Sequence, residues 1–215
     1  MRAKHNKIIV SADMEQKETH QIRKADGTTI SLYLGRRYNS NAREKNPCVC
    51  TVVDNNAPEY RHIRTGDILV VHHNLLVKES AYLIDIIDGI AYFSIPVIQK
   101  EIDNTTRKVT EVPNRQLFAK LVDGELEPIC NNLICERVKM PARSTIIIDP
   151  VEKTYEDRVR VLKVAPDVYG ISRGDIALMY KMGDYEIVYH WNNKECRAIK
   201  VWAEDIIGIV NEVAA

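Results

Sequence analysis

Ala57-Pro58-Glu59-Tyr60-Arg61-His62-Ile63-Arg64-Thr65-Gly66-Asp67-Ile68 returns 108 residues later as Ala165-Pro166-Asp167-Val168-Tyr169-Gly170-Ile171-Ser172-Arg173-Gly174-Asp175-Ile176. Ala-Pro, an acid, Ile63 with Ile171, and Gly-Asp-Ile all keep one offset without a gap. Working outward, Asn6-Lys7-Ile8-Ile9 aligns with Asn132-Leu133-Ile134-Cys135 at an offset of 126. The first copy then holds 18 more residues between about Ala12 and Pro47, against Val138 to Asp157 in the second. Downstream, Leu117-Phe118-Ala119-Lys120-Leu121-Val122 parallels Ile206-Ile207-Gly208-Ile209-Val210. Chance supplies single matches easily, but collinear order of four signals a duplicated unit. We therefore expect two tandem β domains, 5–122 and 125–213, the first with a long loop over 12–47 and an insertion over 75–115.

The local patterns within each copy are those of strands. Arg158-Val159-Arg160-Val161 alternates polar with apolar, and Cys48-Val49-Cys50-Thr51-Val52-Val53 does so less cleanly, as half-buried strands do. Ile68-Leu69-Val70-Val71 and Thr145-Ile146-Ile147-Ile148 are β-branched runs. Turn signals recur at Asp26-Gly27, Gly66-Asp67, Asp88-Gly89, Asp123-Gly124, Gly183-Asp184 and Asn192-Asn193. No stretch carries a convincing helical period, and Glu101 to Val112, charged and Thr-rich, reads as the tip of a long hairpin or loop. The fold class expected is all-β, with two barrels carrying long loops or hairpins.

Composition narrows the function classes. Of 215 residues 45% are hydrophobic and 28% charged, with 30 basic residues against 30 acidic ones. Such a chain can bury a core, and its neutral balance argues against nucleic acid as the main partner. A net charge near zero also favours association, so a homo-oligomer is expected. No apolar run approaches a spanning helix or a secretory leader, and five cysteines without a framework spacing suggest reduced thiols in a cytoplasmic setting.

The repeat carries a family resemblance. The second copy resembles a GroES-type co-chaperonin over nearly its whole length. The stations are a first strand at Leu133-Ile134-Cys135, an aliphatic loop tripeptide at Ile146-Ile147-Ile148, and a strand over Val159 to Val164. Gly174-Asp175-Ile176, the hairpin Gly183-Asp184-Tyr185 and the closing strand Asp205-Ile206-Ile207-Gly208-Ile209-Val210 follow. Two copies in one chain resemble the double-domain co-chaperonins of chloroplasts. The resemblance implies a non-enzymatic protein that caps a chaperonin ring and encloses a client, the ATPase belonging to the partner. Ile146, Ile147 and Ile148 would be the chaperonin-binding anchor, with Ile30 and Leu32 a poorer one in the first copy. The family carries Gly-Gly before its tripeptide; here Arg143-Ser144-Thr145 stands there. An alternative of another class is a phage capsid auxiliary protein, located in the virion, with capsid protein as its partner.

Other residue patterns have plainer readings. Gly66-Asp67 and Gly174-Asp175 are turn chemistry, glycine taking the bend and aspartate bonding nearby N–H groups. Cys48 and Cys50 share a strand face, but no metal-knuckle spacing occurs, and they read as buried thiols. His72 and His73 would point to opposite faces of a strand. Arg36-Arg37-Tyr38 with Arg43 and Lys45 reads as a solvated basic loop. Tyr185, Tyr189 and Trp191 belong to the roof hairpin, either as a contact between subunits or as core. Ile206, Ile207 and Ile209 are expected to include core positions. No Walker loop, G-x-G-x-x-G, G-x-S-x-G or H-E-x-x-H occurs, so no catalytic residue, metal or cofactor is expected.

Overall fold

The computed structural model describes residues 1–13, 19–23, 29–33, 49–78, 80–102, 107–140, 154–180, 183–192 and 194–210. The chain is all-β there. Its only helical turns among the described residues are three 3-10 segments, Pro58–Tyr60, His73–Leu76 and Ala203–Asp205. Two antiparallel sheets dominate. The first contains β1 (Lys7–Asp13), β4 (Val49–Asn55), β5 (Ile68–Val71), β6 (Leu83–Ile87), β7 (Ile90–Pro96), β10 (Leu117–Val122) and β11 (Glu125–Pro128). The second contains β12 (Asn132–Lys139), β13 (Thr154–Val164), β14 (Ile176–Met179), β15 (Asp184–Trp191), β16 (Lys194–Trp202) and β17 (Ile206–Val210). Two separate hairpins pair β2 (Thr19–Arg23) with β3 (Thr29–Tyr33), and β8 (Ile98–Ile102) with β9 (Val109–Pro113).

The two sheets have one strand order. The first runs β10-β5-β4-β1-β7-β6, with β11 added beyond β10, and the second runs β17-β14-β13-β12-β16-β15. Detail is repeated too. Bulges follow Ile9 and Ile134 in the first strand of each sheet, and others fall between Leu117 and Ala119 and beside Gly208. At the Gly-Asp turns, Gly66 and Gly174 take φ of 91° and 96°, a region where a side chain is strained. The Asp67 carboxylate accepts the Arg64 N–H at 2.7 Å, and the Asp175 carboxylate accepts the Ser172 N–H at 2.8 Å. Backbone bonds then tie Gly66 N–H to the Val52 carbonyl and Gly174 N–H to the Val161 carbonyl, each at 2.8 Å.

These registers correct the alignment at its start. Ile9 pairs with Asp54 and Ile134 with Lys163, each followed by the bulge, so Ile9 corresponds to Ile134 at an offset of 125 rather than 126. Burial agrees: Ile8 and Val10 face the first core, and Leu133 and Cys135 the second. A one-residue slip would turn each of them to the other face. Asn6 and Asn132 had drawn the alignment through a coincidence of type. The segment 75–115 is an insertion only in part. It holds β6 and β7, the counterparts of β15 and β16, and what it adds is the β8–β9 pair; Glu101 to Val112, read as a tip or loop, therefore begins and ends in paired strand.

The expected barrels are not seen among the described residues. No pairing joins β6 to β11, or β15 to β17, so neither sheet closes. Each sheet covers a core of its own. Ile8, Val10, Val52, Leu69, Phe93 and Leu117 pack in the first, and Leu133, Val159, Val161, Ala177 and Val201 in the second. Burying each large aliphatic or aromatic side chain contributes about 1.5–3 kcal/mol. The closing strand β17 departs from expectation. Ile207 is 58% exposed and Ile209 37%, and Ile206 is half-buried. Its counterpart β10 is buried because β11 flanks it and the second sheet covers its outer face.

Candidate functional site

Strand alternation gives each sheet an outer face, and the two outer faces meet. Leu69 and Val71 point into the first core, so Val70 points out; Phe118 does the same beside Leu117. On β15 and β16, Ile187 pairs with Ala198 and Tyr189 with Cys196, and all four point out from the second sheet. Together with Ile134, Leu121 and Leu126 these residues form one packed cluster between the sheets, in which Phe118 is 2% and Ile187 1% exposed. Tyr185, Tyr189 and Trp191, read as roof or interface residues, thus turn inward onto the same chain's first sheet. The Tyr189 hydroxyl donates to the Gly124 carbonyl at 3.1 Å, and the Trp191 ring lies where a Cβ on Gly124 would fall.

Polar groups frame this apolar contact. His72 and His73 do not point to opposite faces. They lie past the end of β5, where a 3-10 turn replaces the strand, and their rings stack with centroids 4.3 Å apart. His73 Nδ1 shares a 2.5 Å hydrogen bond with the Tyr185 hydroxyl, and the Tyr185 ring lies 5.1 Å from Phe118. Lys200 is buried, its ammonium 5.2 Å from the Phe118 ring. Burial lowers its pKa to about 8; the charge of Asp205 opposes that shift and Arg115 adds to it. The Arg115 guanidinium stacks 3.3 Å over the Trp202 ring.

A second polar knot lies where the chain passes between the sheets. Cys130 and Asn131 adopt φ of 54° and 64°, turning β11 into β12. Asn132 is fully buried, and its amide donates to the carbonyls of Leu117, Ile129 and Cys130 at 2.8, 2.7 and 3.2 Å. The Asp167 carboxylate accepts the Asn131 N–H at 3.0 Å and the Tyr60 hydroxyl at 3.4 Å. Burial pushes the Tyr60 hydroxyl and the Cys130 thiol above their ordinary values, and both stay protonated. Burial likewise raises Cys135 to about 12. Protonated thiols are poor nucleophiles, so these cysteines serve packing. Beside the knot an open cleft of about 760 Å³ is lined by His62, Lys120, Glu127, Leu162, Lys163 and Arg173. Lys163 also pairs with Glu125 at 2.6 Å.

The candidate loop anchors fall elsewhere. Ile146, Ile147 and Ile148 lie outside the described residues, as do Cys48 and the basic segment around Arg36-Arg37-Tyr38. In sequence the three isoleucines fall between β12 and β13, strands that pair with each other. Ile30 and Leu32 lie on β3, opposite Ile22 and His20, within the matching connection from β1 to β4. The structure places Tyr185, Tyr189 and Trp191 at the inter-sheet contact and Ile30 and Leu32 on β3. Asn132, Lys200 and Asp167 were not singled out by sequence reasoning. In the corrected repeat Asn132 and Lys200 stand opposite Lys7 and Ser94, while Asp167 keeps the acid of Glu59. Among the described residues no three His, Cys, Asp or Glu side chains converge as metal ligands, and no helix is long and apolar enough to cross a membrane. No family model, curated protein or solved structure matches the chain.

Proposed function

We propose that this chain is a non-enzymatic, co-chaperonin-like protein that caps a chaperonin ring, each six-stranded unit acting as one GroES-like barrel domain. The observation that supports the reading most is the shared strand order of the two sheets. In that order the Gly-Asp turns and the closing strands hold matching places, and in sequence each candidate anchor falls between a matching pair of strands. Ile146, Ile147 and Ile148 then extend from the β12–β13 connection into an apolar groove on a chaperonin subunit, with Ile30 and Leu32 as the weaker equivalent. Burying two isoleucines contributes roughly 3–6 kcal/mol per site before ordering costs, which consume much of it. Repetition round an assembly supplies the rest through effective concentration. The partner carries the nucleotide chemistry, so this chain needs no cofactor. One feature favours a second reading, a capsid auxiliary protein: Arg143-Ser144-Thr145 lacks the glycines that free a mobile loop to bend.

The test is nucleotide-dependent binding to a purified chaperonin ring, with wild type and Ile147→Ser. Binding that requires ATP and disappears in the variant, with unchanged circular dichroism, supports capping. Failure of wild type to bind with ATP present ends that reading for the ring tested, and recovery of the chain in purified capsids supports the other.

A further inference from the structure

The repeat shows that the contact between the two sheets uses only half of the surfaces that could make it. The docking face is the β15–β16 hairpin, through Ile187, Tyr189, Cys196 and Ala198. Matching registers give its counterpart on β6–β7: Asp85, Ile87, Ile90 and Tyr92. The receiving face is Val49, Val70, Phe118 and Leu121, and its counterpart on the second sheet is Arg158, Leu178, Ile207 and Val210. Within the chain, Tyr189 and Phe118 are 8% and 2% exposed; their counterparts Ile87 and Ile207 are 45% and 58% exposed. One docking face and one receiving face are therefore used; on their counterparts Ile87, Ile90 and Ile207 are exposed, while Ile9 and Ile176, which match Ile134 and Ile68, are already buried within the chain.

The substitutions on the open faces are matched. Where the covered contact places Ile187 and Val49 in one apolar cluster, the open faces carry Asp85 and Arg158. An acid has entered one face and a base the other, while Ile87, Ile90, Leu178 and Ile207 keep the apolar surround. Arg158 is half-buried, 4.5 Å over the Tyr155 ring and 3.9 Å from Asp157 in its own chain, and Asp85 on the other open face has the complementary charge.

We propose that the β6–β7 face of one copy docks on the β14–β17 face of the next, repeating between chains the contact that joins the two sheets within one. The occupant of each open face is thus a second copy of this chain. Such a contact is heterologous, so it propagates head to tail into a ring or an open filament. It does not depend on the co-chaperonin reading, since no chaperonin enters its test.

The experiment measures the mass of the full chain by sedimentation velocity for wild type, Ile87→Arg and Ile207→Arg. Both positions are exposed, so each variant should keep the wild-type circular dichroism and unfolding midpoint. Wild type is expected as a multiple of the chain mass and each variant as a monomer. Mixed in equal amounts, the two variants should form a dimer and nothing larger, because each retains the one face that the other lacks. A monomeric wild type at its solubility limit, either variant assembling as wild type does, or a mixture that stays monomeric would each overturn the proposal. As a check on the charges, Asp85→Arg should weaken assembly and adding Arg158→Asp should restore it; no recovery counts against the pairing of these two faces.

Discussion

Replacing Lys200 by methionine should stabilise the protein at neutral pH, and the gain should disappear as the pH rises. Lys200 lies on the outer face of β16, in the contact between the sheets, and is only 8% exposed. Burial lowers its pKa from 10.5 to about 8, with Arg115 adding to the effect and Asp205 opposing it. Below pH 8 the ammonium is charged in both the folded and the unfolded chain, and the folded state bears the full penalty. Between pH 8 and 10.5 the unfolded chain holds a proton that the folded chain has lost, so wild-type stability rises with pH across that window. Each pKa unit corresponds to about 1.4 kcal/mol, which makes the penalty roughly 3 kcal/mol at pH 7. Attraction to the Phe118 ring returns about 0.5–2 kcal/mol of it. Lys200→Met should therefore gain about 1–3 kcal/mol at pH 7 in urea unfolding, shrinking steadily toward pH 10.5. Wild type and variant must be compared at each pH, because Cys130 and Tyr60, held protonated in the fold, remove stability above their ordinary values. A difference that stays constant from pH 7 to 10.5 would show that Lys200 is not buried between the sheets.

Other outcomes follow from the turns. Gly124→Ala should lose about 2–4 kcal/mol in thermal or urea unfolding, since φ is +86° and the new Cβ falls 2.6 Å from Trp191 Cδ1. Gly66→Ala, with φ +91° and nothing within 4 Å, should lose only the conformational part, about 1–2 kcal/mol; equal losses would mean that Trp191 does not pack there. Asp67→Ala should cost about 2–3 kcal/mol and Asp175→Ala about 1 kcal/mol, because Asp67 also meets Lys120 at 2.9 Å. Burial raises the Asp67 pKa, but the Arg64 N–H and Lys120 outweigh it and hold it below the ordinary value. Its contribution is full above the ordinary carboxylate range and fades as the pH falls through it, so Asp67→Asn should flatten the acid limb of the stability curve.

Local chemistry was the legible part. A Gly-Asp pair before a β-branched run reads as a turn because glycine's positive φ and the aspartate's bond to a nearby N–H involve only four residues. The stretch from Glu101 to Val112 reads as a tip or loop, yet Glu101–Ile102 and Val109–Val112 are paired strand, because their partners are each other across the hairpin. Burial of the outer faces was not. Phe118 and Ile207 occupy one place in one pattern, yet one is covered and the other open, because what covers Phe118 comes from the other copy. Lys200 reads as a solvent-facing residue of an alternating strand, and so it would be if β16 had no neighbour on its outer side. The one-residue error at Asn6 has the same origin. Residue types align by resemblance, but register is set by which face is buried.

The divergence of the two copies is what makes one contact form within the chain. Identical copies would carry identical faces, with nothing to choose between pairing inside one chain and pairing across two. Here the covered faces have become aromatic and aliphatic, through Phe118, Tyr189 and Trp191, while the open faces hold isoleucines with Asp85 and Arg158. A contact between sheets joined by one chain carries little loss of translational freedom, so it forms first and can stay dry. Asn132 reinforces the choice. Its three bonds to Leu117, Ile129 and Cys130 hold the start of β12 against the end of the first sheet, and the first copy carries Lys7 in the corresponding place. A contact between separate chains must bear the full loss of freedom, and a charged pair among isoleucines suits one that forms late and in a single register. If the open faces meet between chains as proposed, the sheets would join within a chain before chains join each other, an order set by the residues in which the two copies differ.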